Sequence, residues 1–528
     1  MKAMALQPIK SGGDCFDDVV ATLSNWYEQD YAMIYADAML FEFLDEAPDR
    51  KTIASRMALL YQPLQMLETF HGYRGKIHRT AAPALGWQIV QNEVEAGFPV
   101  VMIVDAYHLP WDDKYQKEHY FTHMVIAVGV EANAHLHCID PYFEKTDLLL
   151  PREELELGFE AALTLRPGPT RIDGREQLAA VFRPLLQRQL DELVPAFGAL
   201  VEALPGIDFA EETKGCADFG GSRLYHQLSS LIYARHNFAK SLDYIADTYS
   251  LEPFRHYAEQ CRQLSGKWTT VRALLAKMNF ASQLANAPDL TPHLQQRIRQ
   301  IVEAEAALLE QLIITLDGGA SDPDTAIKEQ IVGEAQAAVA GSSRHVTSTI
   351  PVDLAGYCNN RAIGAVRNND YHDADFDAFG YYYARQNVPE HSLRVADMSF
   401  VFPDLPNGEP DNISCEGQVI ALPTDEVWGI MLLGSGEQGD HTETGKLVYE
   451  DGTSTELLID FPDWWNRSAH SGHVIAWHTN LEHAVKGRTS DRVQLFAKKL
   501  TFDEPKRVRE LVLPTLPNLH LFGLTLWK

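Results

Sequence analysis

The stretch HMVIAVGVEANAHLHCID, residues 123–140, decides how the N-terminal part of the chain folds. His123 to Val130 and His135 to Asp140 are short apolar runs rich in β-branched residues, and Glu131-Ala-Asn-Ala134 between them is turn-like, so the stretch reads as two strands. If the hairpin turns at 131.5, the midpoint of 123 and 140, His123 and Asp140 lie opposite each other on one face. Cross-strand Cβ atoms are then about 4.5–5.5 Å apart. A carboxylate at that distance holds an imidazole in one tautomer, and the ring can take a proton from a nucleophile and return it to a leaving group.

Upstream, Gly97-Phe-Pro leads into Val100-Val-Met-Ile-Val104, a wholly apolar run typical of a buried strand. Further upstream, Cys15 follows Ser11-Gly-Gly-Asp14 and precedes Val19, Val20, Leu23 and Trp26, an amphipathic pattern that places the thiol in the first turn of a helix. The free N–H groups and dipole of a helix start stabilise a thiolate and can donate to an oxyanion. Against this, a lone cysteine at a helix start is commonly a small buried residue, and Asp14, Asp17 and Asp18 disfavour a thiolate. The residues alone give a His123/Asp140 pair and a candidate nucleophile, with nothing in the spacing to join them.

Downstream, Arg166-Pro-Gly-Pro-Thr170 breaks the pattern and long helices follow. Leu178, Phe182, Leu186, Leu190, Leu193, Phe197 and Leu200 form one apolar stripe. A later helix is predicted with Thr291 as its cap, Pro292 in the first turn, Ile298, Ile301, Leu308 and Leu312 inward, and a stop at Gly318-Gly319. A second boundary near Gly341 to Ser348 opens a region of short strands, 416–422, 427–433, 445–449 and 454–460, spaced as in an all-β sandwich. The fold class is therefore multidomain α+β, with domains at 1–168, 169–345 and 346–528.

A net charge of −28 over 528 residues argues against a phosphate backbone or an anionic membrane surface as partner, while suiting a cationic ligand or solubility alone. Six scattered cysteines without a CxxC pair suggest neither a disulfide framework nor zinc. No stretch approaches the roughly 18 apolar residues of a membrane span, and the start has no apolar leader, so a cytoplasmic location is expected.

Cys15 at a helix start, Gly97-Phe-Pro-Val-Val, Asp105-Ala-Tyr-His-Leu-Pro110, Tyr115-Gln-Lys-Glu-His119, His123 leading to Val128-Gly-Val, and Cys138-Ile-Asp-Pro141 together resemble the butirosin biosynthesis protein H family over about residues 10–160. The resemblance implies a papain-like fold related to C39 peptidases. It also implies transfer of an acyl group from the phosphopantetheine thioester of an acyl or peptidyl carrier protein to an amine acceptor, in nonribosomal peptide or related biosynthesis, with no cofactor bound by the protein itself. Cys15, His123 and Asp140 carry over as nucleophile, general base and orienting group. Papain-like enzymes usually have a Gln about six residues before the cysteine; this chain has Ile9 there, and Gln7 is the nearest substitute for the oxyanion donor.

Asp105, Tyr107, Trp111, Tyr115 and His119 could line the acceptor side of a cleft, Asp105 pairing with the amine, or could form a structural loop. His119, His123, His135, His137 and Cys138 complete no ligand set at standard spacing, so no metal is expected. Gly434-Ser-Gly-Glu-Gln-Gly439 matches GxGxxG but precedes a strand, which makes it a turn, and Asp373 to Asp377 lacks the glycine and final acid of an EF-hand. Residues 350–528, through Val352 to Gly364, Asp411 to Gln418 and Asp463-Trp-Trp465, look like β-sandwich modules appended to glycosidases, whose role is often structural. The helical domain is a candidate lid. Thiol hydrolysis by a peptidase or thioesterase and an inactive scaffold stand as the alternatives to acyl transfer.

Overall fold

The computed structural model describes residues 3–528 except 12, 49, 81, 132–134, 171, 283–288, 319–345, 365–373, 378, 386–387, 389–391, 396–397, 403–408, 467–471 and 485–486. The hairpin tip, Gly319, most of the Gly341–Ser348 boundary and Asp373 fall outside the described residues. The chain forms two compact units, the first made of 1–40, 60–189 and 237–258, the second of 41–59, 190–236 and 259–528.

The first unit is built on a six-stranded sheet. Its strands are β1 (Arg74–His78), β2 (Val100–Val104), β3 (His123–Val130), β4 (His135–Asp140), β5 (Lys145–Pro151) and β6 (Phe159–Arg166). They lie in the order β1-β6-β2-β3-β4-β5, every neighbouring pair antiparallel. The apolar run of β2 sits centrally, with Val100, Met102 and Val104 fully buried against Val125, Ala127, Leu136 and Cys138. Hairpin strands β3 and β4 have the predicted bounds.

Their register differs from the predicted one. The pair next to the turn is Val130 with Leu136, and a bulge between Ala127 and Gly129 shifts the ladder so that Ile126 faces Ile139. Continued, this pairing sets Asp140 across from Val125 and His123 across from Tyr142. His123 and Asp140 are thus diagonal neighbours on one face, about 7–8 Å apart at the backbone and within reach of long side chains.

Helix α1 (Cys15–Tyr27) begins at the cysteine as predicted, and buries Val19, Val20 and Leu23 against β3; Trp26 is 39% exposed and does not join that face. The segment before it follows β3: the Met4 N–H donates to the Val128 carbonyl at 2.9 Å. A Cβ at Gly129 would meet the Ala3 Cβ at 3.0 Å, so the close approach needs glycine.

Four long helices follow, α2 (Arg175–Ala203), α3 (Arg223–Tyr249), α4 (Pro253–Ala281) and α5 (Thr291–Leu316). Their residues are divided between the two units. Along α2 the predicted stripe is buried except at Leu190; Gln189 is fully buried instead, its amide accepting from the Met39 N–H and donating to the Ala36 carbonyl. Thr291 lies inside α5 and does not cap it; Asp289 accepts the Thr291 N–H. Ile298, Ile301, Leu308 and Leu312 are buried as predicted. Among the described residues no helix is long and apolar enough to cross a membrane.

The C-terminal region is a β-sheet sandwich organised by one long strand, Gly487–Val512, which pairs with Glu426–Gly436 and His473–His483 in one part and with Val419–Ala421 and His441–Tyr449 in another. Its interior is aromatic: Phe376, Tyr382, Tyr383, Trp464, Trp477, Phe522 and Trp527 pack together. Gly434 to Gly436 of the GxGxxG motif end the strand Glu426–Gly436, and only its second half bends, with Gln438 and Gly439 at φ 60° and 141°.

Candidate active site

Cys15 is the first residue of α1, and Asp14 is its N-cap, accepting from the N–H groups of Phe16 and Asp17. Among the described residues no acceptor binds the Cys15 N–H, which leaves it as a donor beside the sulfur. The thiol is half-buried and lies 3.6 Å from the Thr122 carbonyl, the residue before β3. Sheet and helix start therefore meet where His123 begins.

His123 is 4% exposed, and its Nε2 is 2.8 Å from Asp140 Oδ2. With Nε2 so engaged, Nδ1 is the ring nitrogen left for the thiol, which lies close enough to His123 to influence its proton affinity. Burial alone would lower the imidazole pKa. The hydrogen bonds to Asp140 and Cys15 and the charges of both outweigh it and raise the value from 6.5 to about 9. Tyr142 meets the ring edge-on at 5.8 Å, and Phe143 packs at 5.5 Å.

Asp140 is fully buried, and its Oδ2 also accepts from the Trp111 indole N–H at 2.8 Å. Trp111, which the sequence offered either to a cleft or to a structural loop, holds the Asp140 carboxylate. The neighbouring carboxylates that argued against a thiolate are committed elsewhere. Tyr35 donates to Asp17, while Ser11 and Lys10 meet the buried Asp18.

Asp105 is 3% exposed and not open to a substrate amine. Oδ1 accepts the N–H groups of Tyr107 and Tyr120, and Oδ2 lies 2.6 Å from His119 Nδ1. Burial would raise its pKa, but these hydrogen bonds together hold it below the ordinary carboxylate value. His119 stacks between Tyr107 at 4.4 Å and Phe121 at 5.5 Å, leaving Phe121 54% exposed as a ring surface that the sequence did not flag. Tyr115 donates to Glu154, which His108 also meets. Gln7 is exposed. Among the described residues no cluster of three or more His, Cys, Asp or Glu could hold a metal ion.

Trp111→Phe keeps the ring and removes the N–H. Loss of a hydrogen bond to a charged group costs about 1.5–3 kcal/mol. The rate of Cys15 alkylation by iodoacetamide is expected to fall by about tenfold, with the near-UV circular dichroism otherwise preserved.

No curated protein matches the chain. Residues 347–528 match the family model of an AziU2-like beta-sandwich domain, the region where the structure forms its sandwich. Residues 14–141, which open one residue before Cys15 and close one after Asp140, match the family model of butirosin biosynthesis protein H, N-terminal, so the thiol, the imidazole and the carboxylate all fall inside the segment that this family describes.

Proposed function

We propose that the chain is a biosynthetic enzyme, a cysteine-dependent acyltransferase with a papain-like catalytic domain, which moves an acyl or peptidyl group from a carrier-protein thioester to an amine. The observation that carries the reading is the convergence of Cys15, at a helix start beside Thr122, with the His123–Asp140 pair, the Cys15 N–H having no acceptor among the described residues. The family description, with its link to butirosin biosynthesis, supports a biosynthetic setting.

In this mechanism the Cys15 thiol proton passes to His123 Nδ1, which frees the sulfur to attack. The sulfur attacks the thioester carbonyl, and the Cys15 N–H stabilises the tetrahedral oxyanion. His123 donates its proton to the departing phosphopantetheine sulfur. The neutral imidazole then takes a proton from the incoming amine as it forms the amide and expels the Cys15 sulfur. Asp140 keeps Nε2 protonated throughout, which directs proton traffic to Nδ1.

The test is incubation with an acyl-loaded carrier protein, with and without amines. Amide formation that depends on both the chain and the amine is expected. Free acid released at one rate regardless of amine would replace transfer by hydrolysis.

A further inference from the structure

The thiol chemistry leaves one proton unassigned. An alkylamine, with a pKa of about 10, is an ammonium ion at neutral pH and has no lone pair for attack. It must lose one proton before it meets the acyl carbon and a second as the amide forms. His123 takes only the second, because Asp140 engages its Nε2 and Nδ1 is the one ring nitrogen open to a proton. A second base beside the thiol is the direct route for the first.

A second His–Asp pair stands at the same end of the sheet. Val104, the last residue of β2, pairs directly with His123, the first residue of β3. Beyond them the two chains stay together, the Ala106 N–H donating to the Tyr120 carbonyl at 2.9 Å, and this extension carries Asp105 and His119. Asp105 Oδ2 lies 2.6 Å from His119 Nδ1, while Oδ1 accepts the N–H groups of Tyr107 and Tyr120, so the carboxylate is fixed. The imidazole is fixed as well, within 13° of parallel to the Tyr107 ring and 4° of the Phe121 ring. Phe121 leads into Thr122, whose carbonyl lies 3.6 Å from the Cys15 sulfur.

The two pairs differ in what they leave open. The His123 side chain is 5% exposed, whereas that of His119 is 57% exposed and its partner Asp105 only 4%. A carboxylate on Nδ1 keeps the ring proton there and leaves the lone pair on Nε2, which has no hydrogen-bond partner among the described residues. His108 also meets a carboxylate, that of Glu154, but its side chain is 15% exposed. An imidazole held in one tautomer, fixed in orientation and open to solvent can accept a proton from an ammonium group and pass it to water.

We propose that His119, oriented by Asp105, is the base that deprotonates the acceptor ammonium before it attacks the acyl-enzyme. This role rests on the acyl-transfer reading. His119 Nε2 takes one proton from the ammonium and releases it to solvent. The amine nitrogen then forms the C–N bond at the acyl carbon, its second proton goes to His123 Nδ1, and the C–S bond breaks with its electron pair left on the Cys15 sulfur. That sulfur recovers the proton from His123. One ammonium and one acyl thioester thus give one amide, one thiol and one proton in solution.

Discharge of a preformed acyl-enzyme tests it. The full chain is acylated by an acyl-loaded carrier protein, the adduct on Cys15 is followed by intact mass, and ethanolamine or hydroxylamine is added at neutral pH. Ethanolamine is an ammonium ion there; hydroxylamine is largely uncharged and needs no base for its first proton. His119→Asn keeps a side-chain N–H for Asp105 and removes the ring, while His119→Phe keeps a ring between Tyr107 and Phe121 and removes both nitrogens. Each is expected to slow discharge by ethanolamine at least tenfold and discharge by hydroxylamine less than twofold, with adduct formation unchanged. The two variants disturb the loop in opposite ways, so either one that folds reads the role. Discharge by ethanolamine at the parental rate, or equal slowing with both nucleophiles, would overturn the proposal and leave the acyl-transfer reading standing. No adduct on Cys15 of the parent chain would overturn that reading and the role of His119 with it.

Discussion

Asp140→Asn is expected to lower acyl-transfer turnover by roughly 10²–10⁴-fold, the range that follows when a catalytic histidine loses its orienting carboxylate. Asp140 Oδ2 accepts from both His123 and Trp111, and the residue is fully buried. An amide can set its one oxygen where Oδ2 stands and keep both N–H groups, but its NH₂ then faces the Phe143 N–H that Oδ1 accepts at 3.4 Å; turned the other way, it loses both. The substitution also removes the negative charge that opposes burial at His123 and turns a charge-assisted hydrogen bond into a neutral one.

The same loss has a signature in stability. The folded His123 pKa of about 9 exceeds the ordinary 6.5, so this group stabilises the folded state fully below pH 6.5, and the contribution disappears as pH rises through about 9. The span corresponds to an effect on the order of 3 kcal/mol. Denaturation of the parent chain is expected to show this decline between pH 6.5 and 9, and that of Asp140→Asn to show a much smaller one. Equal slopes would mean that Asp140 does not set the charge of His123.

Glu305→Ala is expected to cost about 3–5 kcal/mol, the penalty for leaving a buried charge without its partner. Arg235 on α3, Trp268 on α4 and Glu305 on α5 are all fully buried. Glu305 receives Arg235 Nε at 3.0 Å, Nη2 at 3.1 Å and the Trp268 indole N–H at 2.8 Å, so three helices are joined at one carboxylate. The double variant Arg235→Met/Glu305→Leu removes both charges and is expected to be less destabilised than Glu305→Ala, because no uncompensated ion remains. Urea denaturation followed by circular dichroism reads the difference. A double variant as unstable as the single one would show that packing at this junction, and not charge, sets its stability.

These outcomes also show where one-dimensional reading reached and where it stopped. Strand bounds at His123–Val130 and His135–Asp140 were legible because β-branched runs and a polar turn are local signals. Register was not. Beside the turn the pairing is offset by three residues from the predicted one, the Ala127/Gly129 bulge takes back one, and only because the net offset of two is even do His123 and Asp140 keep a shared face. The start of α1 at Cys15 was legible from Asp14 and the apolar spacing. Contact of that helix with His123 was not, since it rests on chain passing beside β3 where Gly129 leaves room for Ala3.

Side-chain roles were the least legible. Trp111 and Asp105 carry groups suited to binding a substrate, yet the first is spent on Asp140 and the second on His119 and two backbone N–H groups. No spacing rule separates a polar group that faces a ligand from one that satisfies a neighbour. The long strand Gly487–Val512 was missed because charged residues from Asp503 to Arg509 interrupt its alternation.

The central claim is that the sulfur of Cys15 takes the acyl group. Intact-mass analysis after brief mixing with an acyl-loaded carrier protein in the absence of amine, followed by peptide mapping, tests it most directly. The account predicts a mass increase equal to one acyl group, located on the peptide containing Cys15 and absent in Cys15→Ala. Amide product formed at the parental rate by Cys15→Ala, or an acyl adduct on another residue, would contradict it.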